Sequence, residues 1–281
     1  MRLLAVLAWL LAFFAQPAAA ASSPELITLE QQLASLVAGK SGEYGIAALD
    51  LRTGKTVSIN GNTAFPMAST VKVAVAATYL TQVDHGRRSL DQAIGGRSAK
   101  SLIEAMLVHS DNYATDLLIR NLGGPATVQQ WISWHGLNGI SVDRTIAQLL
   151  RDRRDLRDPR DSSTPLAMIE LLKTIETGDV LKPQSRSFLQ ATMARCITGS
   201  NRIRALLPAG TRVEHKTGTL SGLTDDVGFI TLPDGRRIAV AIFARYGNNR
   251  PRTIAEAARA IYDGFTKVLT WPFGAPALTT R

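Results

Sequence analysis

Three short motifs stand in order along the chain: Ser69-Thr70-Val71-Lys72, Ser110-Asp111-Asn112 and Lys216-Thr217-Gly218. Together they hold the parts needed to attack an amide: a serine hydroxyl with an amine beside it, a second hydroxyl to pass a proton, and a lysine to hold an anionic substrate. An alcohol is a poor nucleophile near neutral pH. A neighbouring amine, made partly neutral by burial or by other cations, can take its proton. Three residues apart on a helix, Ser69 and Lys72 share one face. A serine opening a helix also sits where backbone N–H groups favour negative charge, and its own N–H is a candidate oxyanion donor. Each motif alone has a plain structural reading: a helix-capping serine with a solvated lysine, a helix cap, an edge strand entering a turn. It is the ordered combination that points to chemistry.

Ser110 follows the apolar stretch Leu102 to Val108 and precedes a helix expected to start near Tyr113. In that turn Ser110 can shuttle a proton to a leaving nitrogen, and Asn112 can hold substrate and the Lys72 amine. Asp111 is expected to fix the turn by bonding to backbone. Lys216 and Thr217 offer a cation and a hydroxyl to a carboxylate, and Gly218 lets another backbone approach closely.

The elements that must position these groups are legible. Ser23-Pro24-Glu25 opens a helix to about Ala38. Residues 44–50 and 56–59 read as strands joined by a turn. Helices are expected over 69–83, 101–108, 112–121, 125–135, 164–176 and 182–195. Strands return at 211–217, 226–232 and 236–244, the last two joined at Pro233-Asp234-Gly235, and a final helix runs from about Pro251 to Val268. The expected fold is α/β (α+β). An antiparallel sheet of about five strands, built from both ends of the chain and covered by the terminal helices, carries an inserted all-helical subdomain. The boundaries expected are 22–62 with 200–270 for the α/β part, 63–199 for the helical part, and 271–281 for a tail without functional reading. The motifs fall at the seam, where a binding cleft is expected.

Residues 1–21, with Met1-Arg2, an apolar run Leu3–Phe14 and small residues to Ala21, read as a cleavable secretory signal. The run is shorter than the about twenty residues that span a bilayer. The formal charge of +9 falls to +8 once Arg2 leaves with that segment. The basic residues are scattered among acids, as in Arg151-Asp152-Arg153-Arg154-Asp155, so a basic exported enzyme attracting anionic substrates fits better than nucleic-acid binding. Cys196 is the single cysteine, so no internal disulfide can form, and it reads as a structural thiol in a helix. His85, His109, His135 and His215 form no metal-binding spacing. No cofactor is expected, with a metal-dependent hydrolase held as an alternative.

The motifs resemble those of penicillin-recognising serine enzymes, specifically the class A β-lactamases. So do Phe65-Pro66-Met67-Ala68-Ser69-Thr70, Leu122-Gly123-Gly124-Pro125, Asp158-Pro159-Arg160-Asp161 with Thr164-Pro165, and Arg202-Ile203-Arg204 before Pro208. The resemblance covers about residues 25–270. It implies that Ser69 is the acylated nucleophile, Lys72 its amine partner, Ser110 the proton shuttle and Asn112 a substrate contact. Lys216 and Thr217 would bind the substrate carboxylate, Thr219 would give a second oxyanion N–H, and Arg202 an extra arginine for the same carboxylate.

One segment departs from the family pattern. Class A enzymes carry a loop glutamate, in Arg-x-Glu-x-x-Leu-Asn, that activates the water releasing the acyl group. Counted from Arg144 that position is Ile146; counted back from Asp161 it is Gln148. Gln148 is therefore the possible deacylation position, with Asp152, Asp155 or Asp158 as substitutes if one folds inward. Arg144 is expected to clamp the loop through Asp161. No confident counterpart of the aromatic at the cleft mouth is found; His85 and Tyr79 are nearby. The expected activity is hydrolysis of β-lactams through acyl-Ser69 with unusual or slow release. The alternatives are a penicillin-binding protein or D-Ala-D-Ala-type peptidase, and a non-enzymatic sensor or scaffold. The expected ligand is a small β-lactam or acyl-peptide. The expected protein is a periplasmic or secreted monomer without nucleic-acid or membrane partners once the signal is removed.

Overall fold

A computed structural model describes residues 24–153 and 155–267. The chain runs α1 (Pro24–Ala38), β1 (Glu43–Asp50), β2 (Thr56–Ile59), β3 (Phe65–Pro66), a 3-10 turn (Ala68–Val71), α2 (Lys72–Asp84), β4 (Ala93–Ile94) and β5 (Arg97–Ser98). Then come α3 (Ala99–Val108), α4 (Asn112–Leu122), α5 (Pro125–Trp134), α6 (Ile146–Arg151), β6 (Ser162–Ser163), α7 (Pro165–Thr177) and α8 (Pro183–Ala194). A second 3-10 turn (Ile203–Leu206) leads to β7 (Val213–Leu220), β8 (Leu223–Thr231), β9 (Arg237–Arg245) and α9 (Arg250–Lys267).

Five strands form one antiparallel sheet in the order β2-β1-β9-β8-β7, so strands from both ends of the chain pair side by side. Register carries the site. Lys216 stands opposite Val227, which pairs with Ala241, which pairs with Ala47. The next row reads Thr217, Asp226, Ile242, Ile46. Successive side chains alternate between faces, so Lys216 faces one layer and Thr217 with Asp226 the other.

Each face has its own core. Ala47, Leu49, Val227, Phe229, Ala241 and Phe243 pack with α2, α7 and their neighbours. Ile46, Ala48, Ile230, Val240 and Ile242 pack with Leu26, Leu29 and Leu33 of α1 and Ile254, Ala258, Ile261 and Phe265 of α9. Each fully buried aliphatic side chain in these layers is worth about 1.5–3 kcal/mol. Every residue of α2 from Lys72 to Leu80 is buried, which makes it the central helix of the inserted layer.

Several boundaries differ from expectation. The helix anticipated from Ser69 opens as a 3-10 turn and becomes α-helical only at Lys72. The third motif lies inside β7, which continues to Leu220 rather than ending at 217. β8 begins at Leu223, three residues early, because two carboxylates, Asp225 and Asp226, are buried in a strand whose polar sequence does not advertise one. α6 was not anticipated. Cys196 is buried but lies beyond the end of α8, not in a helix. Ser23, the signal segment and the tail lie outside the described residues. Among the described residues no helix is long and apolar enough to cross a membrane.

Candidate active site

The turn that carries Ser69 is fixed from three sides. β3 pairs with β6, Phe65 against Ser163 and Pro66 against Ser162. The Met67 N–H donates to the Asp161 carbonyl at 2.9 Å. The Met67 carbonyl in turn accepts from the Thr70 N–H at 2.9 Å and the Thr70 hydroxyl at 2.8 Å. On the third side β7 comes so close that a Cβ on Gly218 would lie 2.7 Å from the Met67 oxygen and 2.9 Å from Asp225 Oδ2. Only glycine fits there. Ala68 has φ +45 and Ser110 φ +58, a left-handed conformation costly for residues with a Cβ. Ser69 itself is half-buried, and its hydroxyl makes no hydrogen bond among the described residues.

Lys72, fully buried at the head of α2, donates from Nζ to the Ser110 carbonyl at 2.7 Å, Asn112 Oδ1 at 2.7 Å and Ser110 Oγ at 3.2 Å. Lys216 Nζ approaches from β7 and donates to the same Ser110 Oγ at 3.0 Å and to the Thr217 carbonyl at 3.0 Å. One hydroxyl therefore sits between two buried lysine nitrogens. Asp111 caps α4 by accepting the Ala114 N–H at 2.8 Å, as expected.

The electrostatics follow from burial. Lys72 is held down to about 7, chiefly by desolvation and then by the Lys216 charge, against the raising influence of Asp111 and Asp116. Lys216 is held down to about 8 by desolvation, against Cys196 and Asp226, with Arg202 adding a further lowering push. Near neutral pH, Lys72 is a base in large part and Lys216 mostly a cation.

Arg202 reaches the same edge of β7. Its Nη1 donates to the Gly218 carbonyl at 2.9 Å and the Asp225 carbonyl at 2.7 Å, and its Nη2 to the Thr219 hydroxyl at 2.7 Å. The Thr217 hydroxyl lies 2.6 Å from that of Thr198, which is 3.2 Å from Cys196 Sγ. Ser69, Lys72, Ser110, Asn112, Lys216, Thr217, Thr219 and Arg202 thus converge from four parts of the chain: the Ser69 turn with α2, the Ser110 turn with α4, the residue-202 turn, and β7.

Comparison with known proteins agrees with this geometry. A family model described as "Beta-lactamase enzyme family" matches residues 28–265. The chain is 33% identical to the extended-spectrum β-lactamase PER-1 of Pseudomonas aeruginosa, covering 86% of this chain and 89% of that one. It is 31% identical to β-lactamase CTX-M-8 of Citrobacter amalonaticus, covering 84% and 89%. Among solved structures, the last common ancestor of Gram-negative bacteria class A β-lactamase superposes with a TM-score of 0.80 at 36% identity, covering 85% of this chain and 99% of that one. The chain belongs to the class A serine β-lactamase family. It is a β-lactamase-like hydrolase in a five-stranded α/β fold.

Against that family pattern the loop from Arg144 to Asp161 is unusual. Its clamp is present: Arg144 Nε meets Asp161 Oδ2 at 2.6 Å, and Asp161 Oδ1 accepts the N–H groups of Asp143 at 2.8 Å and Arg144 at 3.0 Å. With Arg144 so placed, counting from it leads to Ile146, 4% exposed and packed in the core. Gln148, the other expected position, lies on the exposed side of α6. It closes a capping box, its Oε1 accepting the Thr145 N–H at 2.8 Å while Thr145 Oγ1 accepts the Gln148 N–H at 3.2 Å. Its side-chain oxygen is committed there, and the side chain makes no hydrogen bond to Lys72 or Ser110.

The acidic substitutes are also engaged. Asp152 pairs with Arg144 at 2.7 Å, and Asp158 pairs with Arg160 at 2.7 Å and Arg144 at 3.3 Å. Asp155 accepts the Arg157 N–H at 2.8 Å. The Arg160 hydrogen bonds hold Asp158 down to about 2. A carboxylate that the sequence reading missed is Asp116, 5% exposed in α4. It accepts the N–H groups of Ile146 at 2.7 Å and Ala147 at 2.9 Å, tying the start of α6 to α4. Its signal was an acid inside an apolar helix face.

Neither aromatic candidate stands at these groups. Tyr79 is buried, its hydroxyl bonded to the Ser89 carbonyl at 3.3 Å, and His85 ends α2. Tyr113, next to Asn112, is 65% exposed. Among the described residues no three or more His, Cys, Asp or Glu side chains group as a metal site would.

Proposed function

We propose that this chain opens β-lactam rings through an acyl-Ser69 intermediate, forming it fast and releasing it slowly. The observation that carries the reading is the Ser110 hydroxyl held between Lys72 Nζ and Lys216 Nζ. In the forward step Lys72, neutral, takes the Ser69 hydroxyl proton as Oγ bonds to the lactam carbonyl carbon. The N–H groups of Ser69 and Thr219 receive the oxyanion. As the C–N bond breaks, the nitrogen takes the Ser110 hydroxyl proton, and the Lys72 ammonium returns a proton to Ser110. Lys216, Thr217 and Arg202 hold the substrate carboxylate, and Asn112 a side-chain amide of the substrate. No cofactor enters these steps.

Release is the weak step. An ester on Ser69 needs a water with a base beside it, a contribution of about 10²–10⁴ in rate. Ile146 has no titratable group, and Gln148 is spent on its cap. A second reading, a penicillin-binding protein or peptidase that β-lactams acylate without turnover, is favoured by the same observation. Following turnover and intact mass with a chromogenic cephalosporin, a penicillin and a carbapenem separates the two. A transient adduct with continuing hydrolysis supports the lactamase, and a permanent adduct supports the binding protein. No adduct and no hydrolysis would sink both. We further infer export through cleavage near Ala20 to Ser23 and a periplasmic or secreted monomer. Recovery of a mature N-terminus outside the cytoplasm tests this.

A further inference from the structure

Behind the anion-binding edge of β7 lies a buried pair that the proposed reaction steps do not use. Asp226 and His215 are both fully buried. Asp226 accepts from His215 Nδ1 at 2.7 Å, and its Oδ2 also accepts the Ile203 N–H at 3.2 Å. His215 Nε2 has no partner among the described residues. Cross-strand register sets Asp226 opposite Thr217, and His215 sits next to Lys216 in the chain. The Ile203 amide it grips belongs to the residue after Arg202. The carboxylate is thus tied by one bond to the strand of Lys216 and by another to the turn that presents Arg202.

Lys216 and Arg202 meet at this edge, and like charges in a desolvated site repel strongly. The groups facing them are Asp225 and Asp226 from β8, His215 from β7 and Cys196 beyond α8, with Asp111 and Asp116 from α4 facing Lys72. Asp225 is set differently: burial pushes its carboxyl well above the usual range, and its Oδ2 has no partner among the described residues. Asp226 is the first influence that raises Arg202 against its burial, and after Cys196 it raises Lys216 as well.

We propose that Asp226 is a positioning residue for substrate carboxylate: held by His215, it fixes Arg202 through the Ile203 amide and places a buried carboxyl behind Lys216 and Arg202 as their counter-charge. The inference rests on the reading of β7 as the carboxylate-binding edge.

Lys216 binds an anion only when protonated, so half-saturation for acylation by a carboxylate-bearing β-lactam weakens as pH rises through about 8. Removing the counter-charge moves that limb to lower pH. Asp226→Asn is expected to shift it by about one unit, which is about fivefold weaker half-saturation at pH 8 and under about twofold at pH 6. The limiting acylation rate should change less. The methyl ester of the same β-lactam should show no difference between variant and wild type. An unshifted limb in a folded Asp226→Asn protein overturns the proposal. So does an equal loss for acid and ester at every pH, and so does a limb that moves only in Cys196→Ala. If Asp226→Asn does not fold, His215→Gln must move the limb in the same direction, and an unmoved limb there counts equally against it. Titration of Lys216 by NMR in lysine-labelled protein separates this inference from the acyl-enzyme reading. With no acylation in any variant, a Lys216 pKa that fails to drop on loss of Asp226 still refutes the counter-charge role.

Discussion

Lys72 cannot behave as a surface lysine. Its Nζ is enclosed by three oxygen acceptors and faces the Lys216 ammonium across one hydroxyl. The proposed chemistry needs Lys72 neutral and Lys216 charged. The acylation rate constant at low substrate should therefore rise with pH through about 7 and fall again above about 8. A stopped-flow pH series checks this, and a profile flat from pH 6 to 9 would remove Lys72 as the base. Gly218→Ala should cost acylation at least about tenfold, because the new Cβ meets the Met67 carbonyl and pushes β7 from the Ser69 turn. At this scale the motifs were informative: the residues expected to make the acyl-enzyme and to bind substrate lie together, whereas Gln148, expected for deacylation, lies in the α6 cap instead. The missed residues were acids. Asp116 and Asp225 are invisible to motif reading because their meaning comes from burial, which periodicity assigns to apolar positions.

In the proposed cycle, turnover depends on the loop between Arg144 and Asp161. Its ends are fastened by a nearly buried ion pair and by Asp116 on the first amides of α6. Losing Asp161 removes one of three carboxylates around Arg144 and the acceptor of two backbone N–H groups, so Asp161→Ala should destabilise the fold by about 1–3 kcal/mol and open residues 144–161 to proteolysis. Unchanged melting and cleavage would show the clamp to be idle. If Ile146 occupies the missing base position, Ile146→Glu should speed release of the acyl group at least about tenfold, at some cost in stability, while Gln148→Glu should not. Single-turnover release rates decide between them. The sequence left two counts open here. The clamp geometry and the capping box, which needs Gln148 for itself, are tertiary and local facts that alignment by spacing does not contain.

For the whole molecule, the sheet joins the two ends of the chain so that the third motif, more than a hundred residues from the second, meets it through one hydroxyl. Alternating apolar patterns made the β1, β2 and β9 strands and the terminal helices legible. The paired acids of β8 concealed its first three residues, because strand preference there is overridden by partners the sheet supplies. The formal net charge, +9 for the full chain and +8 once Arg2 leaves, gives the protein a field that draws anions. The bimolecular acylation constant for an anionic β-lactam should fall several-fold from about 10 mM to about 500 mM salt, and for a neutral ester hardly at all.

The central claim is that this chain makes an acyl-Ser69 ester faster than it breaks it. Rapid-quench mixing with a chromogenic cephalosporin, with intact mass and peptide mapping on the same samples, tests it directly. The account predicts a burst equal to the enzyme concentration, an adduct on Ser69 throughout the slow phase, and loss of both in Ser69→Ala. Steady hydrolysis without a burst, without adduct, and surviving in Ser69→Ala would contradict it.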